Sequence, residues 1–93
     1  MTKDPATIFQ TVCNHFGFTE KDMRSRARHG RLSLARQICM HLICANTHLD
    51  LPIIGKMFLR DRGTVRYAHH QIDFLKRNDR IISRIVIELK RSL

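Results

Sequence analysis

The 93 residues are enough for one small domain with a single hydrophobic core. A hydrophobic content of 43% excludes an intrinsically disordered chain, and no apolar run approaches the roughly 20 residues of a membrane-spanning helix. Seventeen Lys and Arg against eight Asp and Glu give a net charge of +9, which indicates a polyanionic partner such as duplex DNA, RNA or an anionic membrane surface.

The cysteines and the N-terminus indicate the cellular compartment. Cys13, Cys39 and Cys44 form no CxxC pair, and an odd number would leave one thiol unpaired in a disulfide scaffold. We therefore predict buried free thiols and a reducing compartment. Since the N-terminus has no apolar signal region, we expect the chain in the cytoplasm.

The first 31 residues predict a helix, a capped turn and a basic loop. Pro5 fits the first turn of a helix capped by Asp4, and Gly17 is suited to end it. The apolar residues of this helix recur at helical spacing: Ile8, Phe9, Val12 and Phe16. Residues 19–23 predict a capped single turn, and residues 24–31 predict a basic loop that contains Gly30.

Four more helices are predicted, at about residues 32–45, 51–58, 64–76 and 79–91. Pro52 fits the first turn of the short one, and residues 59–63 form a tight turn behind it. The residues predicted to face the core are Ala35, Ile38, Cys39, Leu42, Ile43, Leu51, Ile54, Phe58, Val65, Ala68, Ile72, Leu75, Ile82, Ile85, Val86 and Leu89. The predicted fold is all-α, a single domain over residues 1–93 with five to six helices and a helix-turn-helix at about 51–76.

Two basic clusters flank this helix-turn-helix. The first lies in and just after the predicted loop: Arg24, Arg26, Arg28, Arg31 and Arg36. The second lies in and around the tight turn: Lys56, Arg60, Arg62 and Arg66. A basic run is usually only a solvated face, but these two bracket a motif that enters the major groove, which favours contact with DNA.

The tight turn carries side chains that suit the reading of base edges. Arg62 can donate two hydrogen bonds to guanine, Asp61 can accept one from cytosine, and the Thr64 methyl can contact a thymine methyl. Gly63 allows a close approach of the backbone. Asp61 has a second interpretation as the N-cap of the following helix, and the two roles are compatible.

Three segments carry a resemblance to a known family. They are ARQICMHL at 35–42, LPIIGKMF at 51–58 and the pattern Arg60-Asp61-x-x-Thr64-Val65. Together with the apolar first and last helices, they make nearly the whole chain similar to the C-terminal DNA-binding domain of DnaA, the bacterial replication initiator. The last pattern resembles the signature Arg-Asp-His-Ser/Thr-Thr-Val of that family.

The resemblance implies how each part meets DNA. The basic loop of the family reaches a narrowed minor groove, which implies this role for Arg36 above all, helped by Arg28 and Arg31. In the family, the start of the short helix contacts the DNA backbone and a thymine methyl group, which implies these contacts for Leu51 and Pro52. The signature implies major-groove contacts for Asp61, Arg62, Gly63 and Thr64. Charge and position imply phosphate contacts for Lys56 and Arg66, and Arg60 is also expected to bind DNA.

The tight turn departs from the family pattern in three places. Arg62 stands where the family has His, Gly63 stands where Ser or Thr is usual, and Leu59 replaces a glycine pair in a turn one residue shorter. Because Arg62 favours guanine, we expect a DNA site shifted from the family's box.

The predicted function is sequence-specific binding of double-stranded DNA by a nucleoid-associated regulator of transcription or replication. The sequence has no GxxxxGK[ST] phosphate loop, so we expect no ATPase activity from it. It also has no Ser/His/Asp or Cys/His signature, and we expect no other enzyme activity and no cofactor. The alternatives are the DNA-binding part of a larger initiator and a non-specific nucleic-acid-binding protein. A homodimer or a protein partner bound through the C-terminal helix also stays open.

The six histidines show no spacing typical of a metal or catalytic site, and no metal is predicted. We interpret them as surface residues on a DNA-facing helix.

Overall fold

The computed structural model describes residues 3–93, so Met1 and Thr2 of the predicted domain lie outside the described residues. Within residues 3–93 there are six helices and no strand, which confirms the predicted all-α class. The helices are α1 Pro5–Phe16, α2 Glu20–Arg24, α3 Gly30–Asn46, α4 Leu51–Met57, α5 Arg62–Asn78 and α6 Arg80–Arg91. No helix in this part of the chain is long and apolar enough to cross a membrane.

The predicted ends of α1 and α2 are confirmed. The Asp4 side chain accepts a hydrogen bond from the amide of Ala6 at 3.2 Å, and Pro5 occupies the first turn. Gly17 ends α1 in the left-handed conformation with φ 77°. Thr19 and Asp22 form a reciprocal capping box around the start of α2.

α3 is the central helix, and it packs against α1, α2, α4 and α5. The five core residues predicted on it are buried, and so are Arg36, Met40 and His41. A helix buried on several sides reads poorly as an amphipathic stripe, which is why the sequence identified only part of its contact surface. The thiols of Cys13 and Cys39 are buried as predicted, whereas Cys44 is partly exposed.

The remaining helices place a second apolar layer on α3. α5 packs along α3, and α4 and α6 pack against other sides of α5. Of the core residues predicted on α4, α5 and α6, most are buried, but three are only partly buried: Leu51, Leu75 and Ile85. Asp79 links α5 to α6, since its amide donates to the Leu75 carbonyl while its carboxylate accepts from the amides of Ile81 and Ile82.

Two helix starts differ from the prediction. α3 begins at Gly30 because the His29 side chain accepts a hydrogen bond from the Leu32 amide, so the basic loop is limited to residues 25–29. α5 begins at Arg62 because Asp61 caps it, so Gly63 lies in a helix and not in the turn. In both places the sequence pattern treats a glycine as a helix breaker, although glycine is tolerated in the first turn of a helix.

The connection from α4 to α5 is tight because of two residues. The Gly55 carbonyl accepts hydrogen bonds from the amides of Phe58 and Arg60, and a Cβ on Gly55 would collide with the Arg60 carbonyl oxygen. Leu59 has φ 56°, in the left-handed region that non-glycine residues seldom adopt. The turn therefore brings the start of α5 directly against the end of α4.

Candidate nucleic-acid interface

The cap and first turn of α5, residues 61–64, form an exposed surface that we call the recognition turn. Asp61 accepts a hydrogen bond from the Thr64 amide at 2.8 Å. The hydrogen bonds from Thr64 hold the pKa of Asp61 below its usual value, so the carboxylate is charged at neutral pH. The capping role of Asp61 is confirmed. The side chains of Arg62 and Thr64 project from the first turn, where a recognition helix meets base edges.

Arg36 differs most from what the resemblance implied. It lies in the second turn of α3 and only 6% of it is exposed. Its guanidinium donates to the carbonyls of Met23, Ala27, Asp22 and Ser25 at 2.7–3.0 Å, and to the Ser25 hydroxyl at 3.1 Å. Burial, followed by the positive charges of Arg60 and Arg28, lowers the pKa of Arg36. Its geometry is that of a residue that shapes the basic loop from inside.

Arg60 ties the basic loop to the α4–α5 turn. Its guanidinium donates to the Ser25 carbonyl at 2.7 Å and to the Phe58 carbonyl at 2.8 Å. Arg24 makes a second link in the opposite direction, because its Nε donates to the Met57 carbonyl at 2.9 Å. These bonds hold the end of α2 and the basic loop against the end of α4 and the connection that leads into α5, although more than 30 residues separate the bonded groups in sequence.

Two clefts lie where the loop meets the helix-turn-helix. The first opens between α3, the loop and α5, and its exposed or partly exposed lining includes Arg28, Ser33, Gln37, Thr64 and Tyr67. The second, which we call the arginine cleft, has a volume of about 180 Å³ and is lined by Arg24, Arg26, Arg28, Leu59 and Arg60. The structure thus brings Arg28 of the basic loop and Thr64 of the recognition turn to one cleft.

Several residues on these clefts were absent from the predicted site, among them Tyr67, Gln37, Arg24 and Arg26. Tyr67 is 61% exposed and follows Thr64 by three positions on α5, a spacing that places the two on one helix face. Gln37 belongs to the segment ARQICMHL at 35–42, so the resemblance offered a signal for it. Arg24 and Arg26 stood in the basic cluster, and only their position beside the α4–α5 turn singles them out.

The other predicted contacts lie around this centre. Arg31 is exposed at the start of α3, with its guanidinium 5.2 Å from the centre of the Phe18 ring and 5.6 Å from that of Phe16. At the other helix starts, Leu51 is partly buried and Pro52 is exposed in the first turn of α4. Lys56 near the end of α4 and Arg66 in the second turn of α5 are both exposed.

The histidines were not all correctly interpreted. His41 is 1% exposed and belongs to the α3–α5 contact, so its prediction as a surface residue is wrong. Its Nδ1 lies 3.1 Å from Nδ1 of His69, and its Nε2 lies 3.5 Å from Nζ of Lys76. Burial, with smaller contributions from Lys76 and His69, lowers the pKa of His41 to about 4. Residues 3–93 contain no group of three or more metal-ligating side chains.

Comparisons with known proteins identify the family of the chain. A family model described as the bacterial dnaA protein helix-turn-helix matches residues 5–72. The chromosomal replication initiator protein DnaA of Thermoanaerobacter sp. (strain X514) is 36% identical over 86 residues, which are 92% of this chain and 19% of that protein. The DnaA proteins of Crocosphaera subtropica and Thermus thermophilus are 37% and 32% identical over 90 residues, 96% of this chain and 20% and 21% of theirs. The chain spans about a fifth of the length of these relatives.

Proposed function

The chain belongs to the family of bacterial DnaA helix-turn-helix domains, and from that premise we propose that it binds a specific double-stranded DNA site. The recognition turn enters the major groove and the basic loop enters the adjacent minor groove. The observation that carries this proposal is the pair of links from Arg60 to Ser25 and from Arg24 to Met57. They hold the basic loop against the connection that leads into α5, so the surface is preformed and little ordering is needed on binding.

Within this surface the side chains divide into those that read sequence and those that position the domain. Arg62 reads guanine through two hydrogen bonds, and Asp61 retains a second carboxylate oxygen for a cytosine amino group while it caps α5. The Thr64 methyl and Gly63 allow a close approach to the base edges. In the minor groove Arg28 is the principal contact, because Arg36 is already bonded to the loop backbone.

Phosphate contacts come from the exposed or partly exposed basic residues around the reading centre. They are Arg24, Arg26, Lys56, Arg60 and Arg66, and Arg31, Leu51 and Pro52 support the domain at the edges of the surface. Five phosphate contacts predict a log–log salt slope of about −4.5, since each neutralised phosphate contributes about −0.9. The site differs from the family's box at the base pair that Arg62 meets.

The biological role that fits such a domain is control of replication or transcription at a DnaA-box-like site. ATP hydrolysis is not assigned to these residues, because the sequence contains no phosphate-binding loop. A protein contact, with a second copy or another partner, is proposed for the outer face of α6. This proposal is supported by Ile81, which is 71% exposed, and by the nearby side chains of Arg80 and Arg84.

A pair of variants tests the assignment of reading and positioning residues. Arg62→Ala should relax preference at one base pair, because it removes two hydrogen bonds worth about 1–3 kcal/mol of discrimination. Lys56→Ala should weaken all duplexes alike and reduce the salt slope by about one. The measurement is fluorescence anisotropy on duplexes that differ at single base pairs, at three or more salt concentrations. Equal effects of the two variants on matched and mismatched duplexes would overturn the assignment.

A further inference from the structure

Leu59 has a conformation that its side chain makes unfavourable. Among residues 3–93 it is the one non-glycine residue with positive φ, at 56°. In this region the Cβ of an L-residue crowds the backbone, whereas glycine has no such penalty and asparagine tolerates it better. The conformation is imposed by the turn, because the Leu59 amide donates to the Lys56 carbonyl and the next amide donates to the Gly55 carbonyl.

Packing inside the domain does not account for a leucine at this position. Its side chain is 70% exposed, the largest exposed fraction but one among the large hydrophobic residues described. It lines the arginine cleft together with Arg24, Arg26, Arg28 and Arg60, and it also borders a neighbouring depression lined by Glu20 and Lys21. A strained residue with an exposed apolar side chain, placed in a strongly basic cleft, suggests a contact made only when a partner is bound.

The chemistry of the cleft identifies the group that would fill it. In the proposed function, on which this inference rests, the recognition turn occupies the major groove and Arg28 occupies the neighbouring minor groove. One sugar–phosphate strand separates two neighbouring grooves. Leu59 lines one cleft with Arg28 of the basic loop and precedes the recognition turn by two residues. The guanidinium groups suit the phosphates of that strand. An apolar side chain suits the carbon face of the sugar that joins them.

We propose that Leu59 packs against a deoxyribose of the strand between the two grooves and selects against a 2′-hydroxyl there. An apolar contact at this sugar disfavours a ribose, because the added hydroxyl would be desolvated without a hydrogen-bonding partner. Leu59 is then a sugar-reading residue, distinct from the side chains that read bases.

Three substitutions at this position separate the contact from the backbone conformation. Leu59→Gly and Leu59→Asn both favour the left-handed turn and remove the apolar side chain, but only glycine makes the backbone more flexible. Leu59→Met keeps an apolar side chain of similar size. Thermal unfolding should show Tm raised by a few degrees for the glycine variant, since strain in the turn is relieved.

DNA binding should change in the opposite direction from stability. The test duplex is obtained by random-site selection with the wild-type chain. Leu59→Gly and Leu59→Asn should each weaken binding to it roughly tenfold, and Leu59→Met should weaken it by less than about threefold. Wild-type affinity in both the glycine and asparagine variants would overturn the proposal. A loss confined to the glycine variant would also overturn it, because flexibility would then be the cause.

A ribonucleotide scan identifies the sugar. Single ribonucleotides are placed at successive positions of each strand of the same duplex, and each duplex is titrated with the wild-type chain and with Leu59→Gly. We expect one position where the ribose weakens wild-type binding several-fold and has little effect on the variant. Equal sensitivity of both proteins at every position would refute sugar reading by Leu59. If the wild-type chain did not distinguish the selected duplex from a scrambled one, the proposed function itself would fail.

Discussion

Replacement of Arg36 by Met should lower the stability of the folded domain, because Arg36 supports the basic loop from inside and is not itself a DNA contact. Methionine keeps an apolar stem of similar length but removes the charge and all of the donors. The guanidinium donates five hydrogen bonds, and the one to the Met23 carbonyl is fully buried. Hydrogen bonds from a charged donor contribute about 1.5–3 kcal/mol each when they are lost from a buried site, and less where water can replace them.

The net magnitude follows from opposing contributions. The buried carbonyl left without a partner costs about 1–3 kcal/mol, and the partly buried carbonyls of residues 22, 25 and 27 add a smaller cost because they can be hydrated. Removing a buried charge that lies near Arg60 and Arg28 returns part of this free energy. We expect the free energy of unfolding to fall by about 2–4 kcal/mol, which corresponds to a decrease in Tm of roughly 10–20 °C for a domain of this size.

The matched control is Arg28→Met, since Arg28 is exposed on the same basic loop. This variant should keep its stability within about 0.5 kcal/mol while its affinity for DNA falls. Urea unfolding gives the free energies, and hydrogen exchange of the amides of residues 25–29 reports the loop. If Arg36→Met kept wild-type stability and loop protection but lost DNA binding, Arg36 would be a direct contact and its role as an internal support would be refuted.

Three further predictions concern the scaffold. Gly55→Ala should lower the free energy of unfolding in urea by about 2 kcal/mol or more, because the added Cβ meets the Arg60 carbonyl. Gly30→Ala, whose Cβ would point into open space, should leave the free energy of unfolding nearly unchanged. Similar losses in the two variants would contradict this prediction. Asp79→Ala should lower stability by about 1 kcal/mol by removing the α6 cap, and Asp79→Ser should restore most of it, so a variant pair without this difference would argue against the cap. His41 has a folded-state pKa of about 4, below its unfolded value of about 6.5. The buried neutral imidazole of His41 therefore stabilises the fold fully above about pH 6.5, and about 3 kcal/mol of this stabilisation is lost as the pH falls to 4. In urea unfolding from pH 7 to 4, the free energy of unfolding should fall less for His41→Gln than for the wild-type chain. Identical falls in the two proteins would exclude His41 as the cause.

The fold was predictable to the extent that its signals are local. Asp4, Pro5 and Gly17 define α1 through cap chemistry and backbone preference, and the structure has the helix there. The start of α3 was missed by two residues because His29 caps it, and histidine is not among the common N-cap residues. A helix start that depends on an uncommon capping residue cannot be located from the residue pattern alone.

The exposed positions at the start of α5 could be predicted from the sequence, but the arrangement of the arginines and the place of Tyr67 and Gln37 beside them could not. Exposed positions such as Arg62 and Thr64 follow from the motif itself, since the start of a recognition helix is always accessible. The burial of Arg36 depends on carbonyl groups 9–14 residues before it, and the link from Arg60 to Ser25 spans 35 residues. Basic charge alone does not indicate whether an arginine faces solvent or supports a loop from inside, so this distinction required the structure.

Discrimination between DNA sequences is the property on which the proposed function depends most directly. It is measured by fluorescence anisotropy with the wild-type chain, at near-physiological salt, on a duplex recovered by random-site selection and on a scrambled duplex of the same length and composition. The proposed surface predicts tighter binding to the selected duplex by about 10³-fold or more. Equal affinity for the two duplexes would contradict sequence-specific recognition and would make the chain a non-specific binder of nucleic acid.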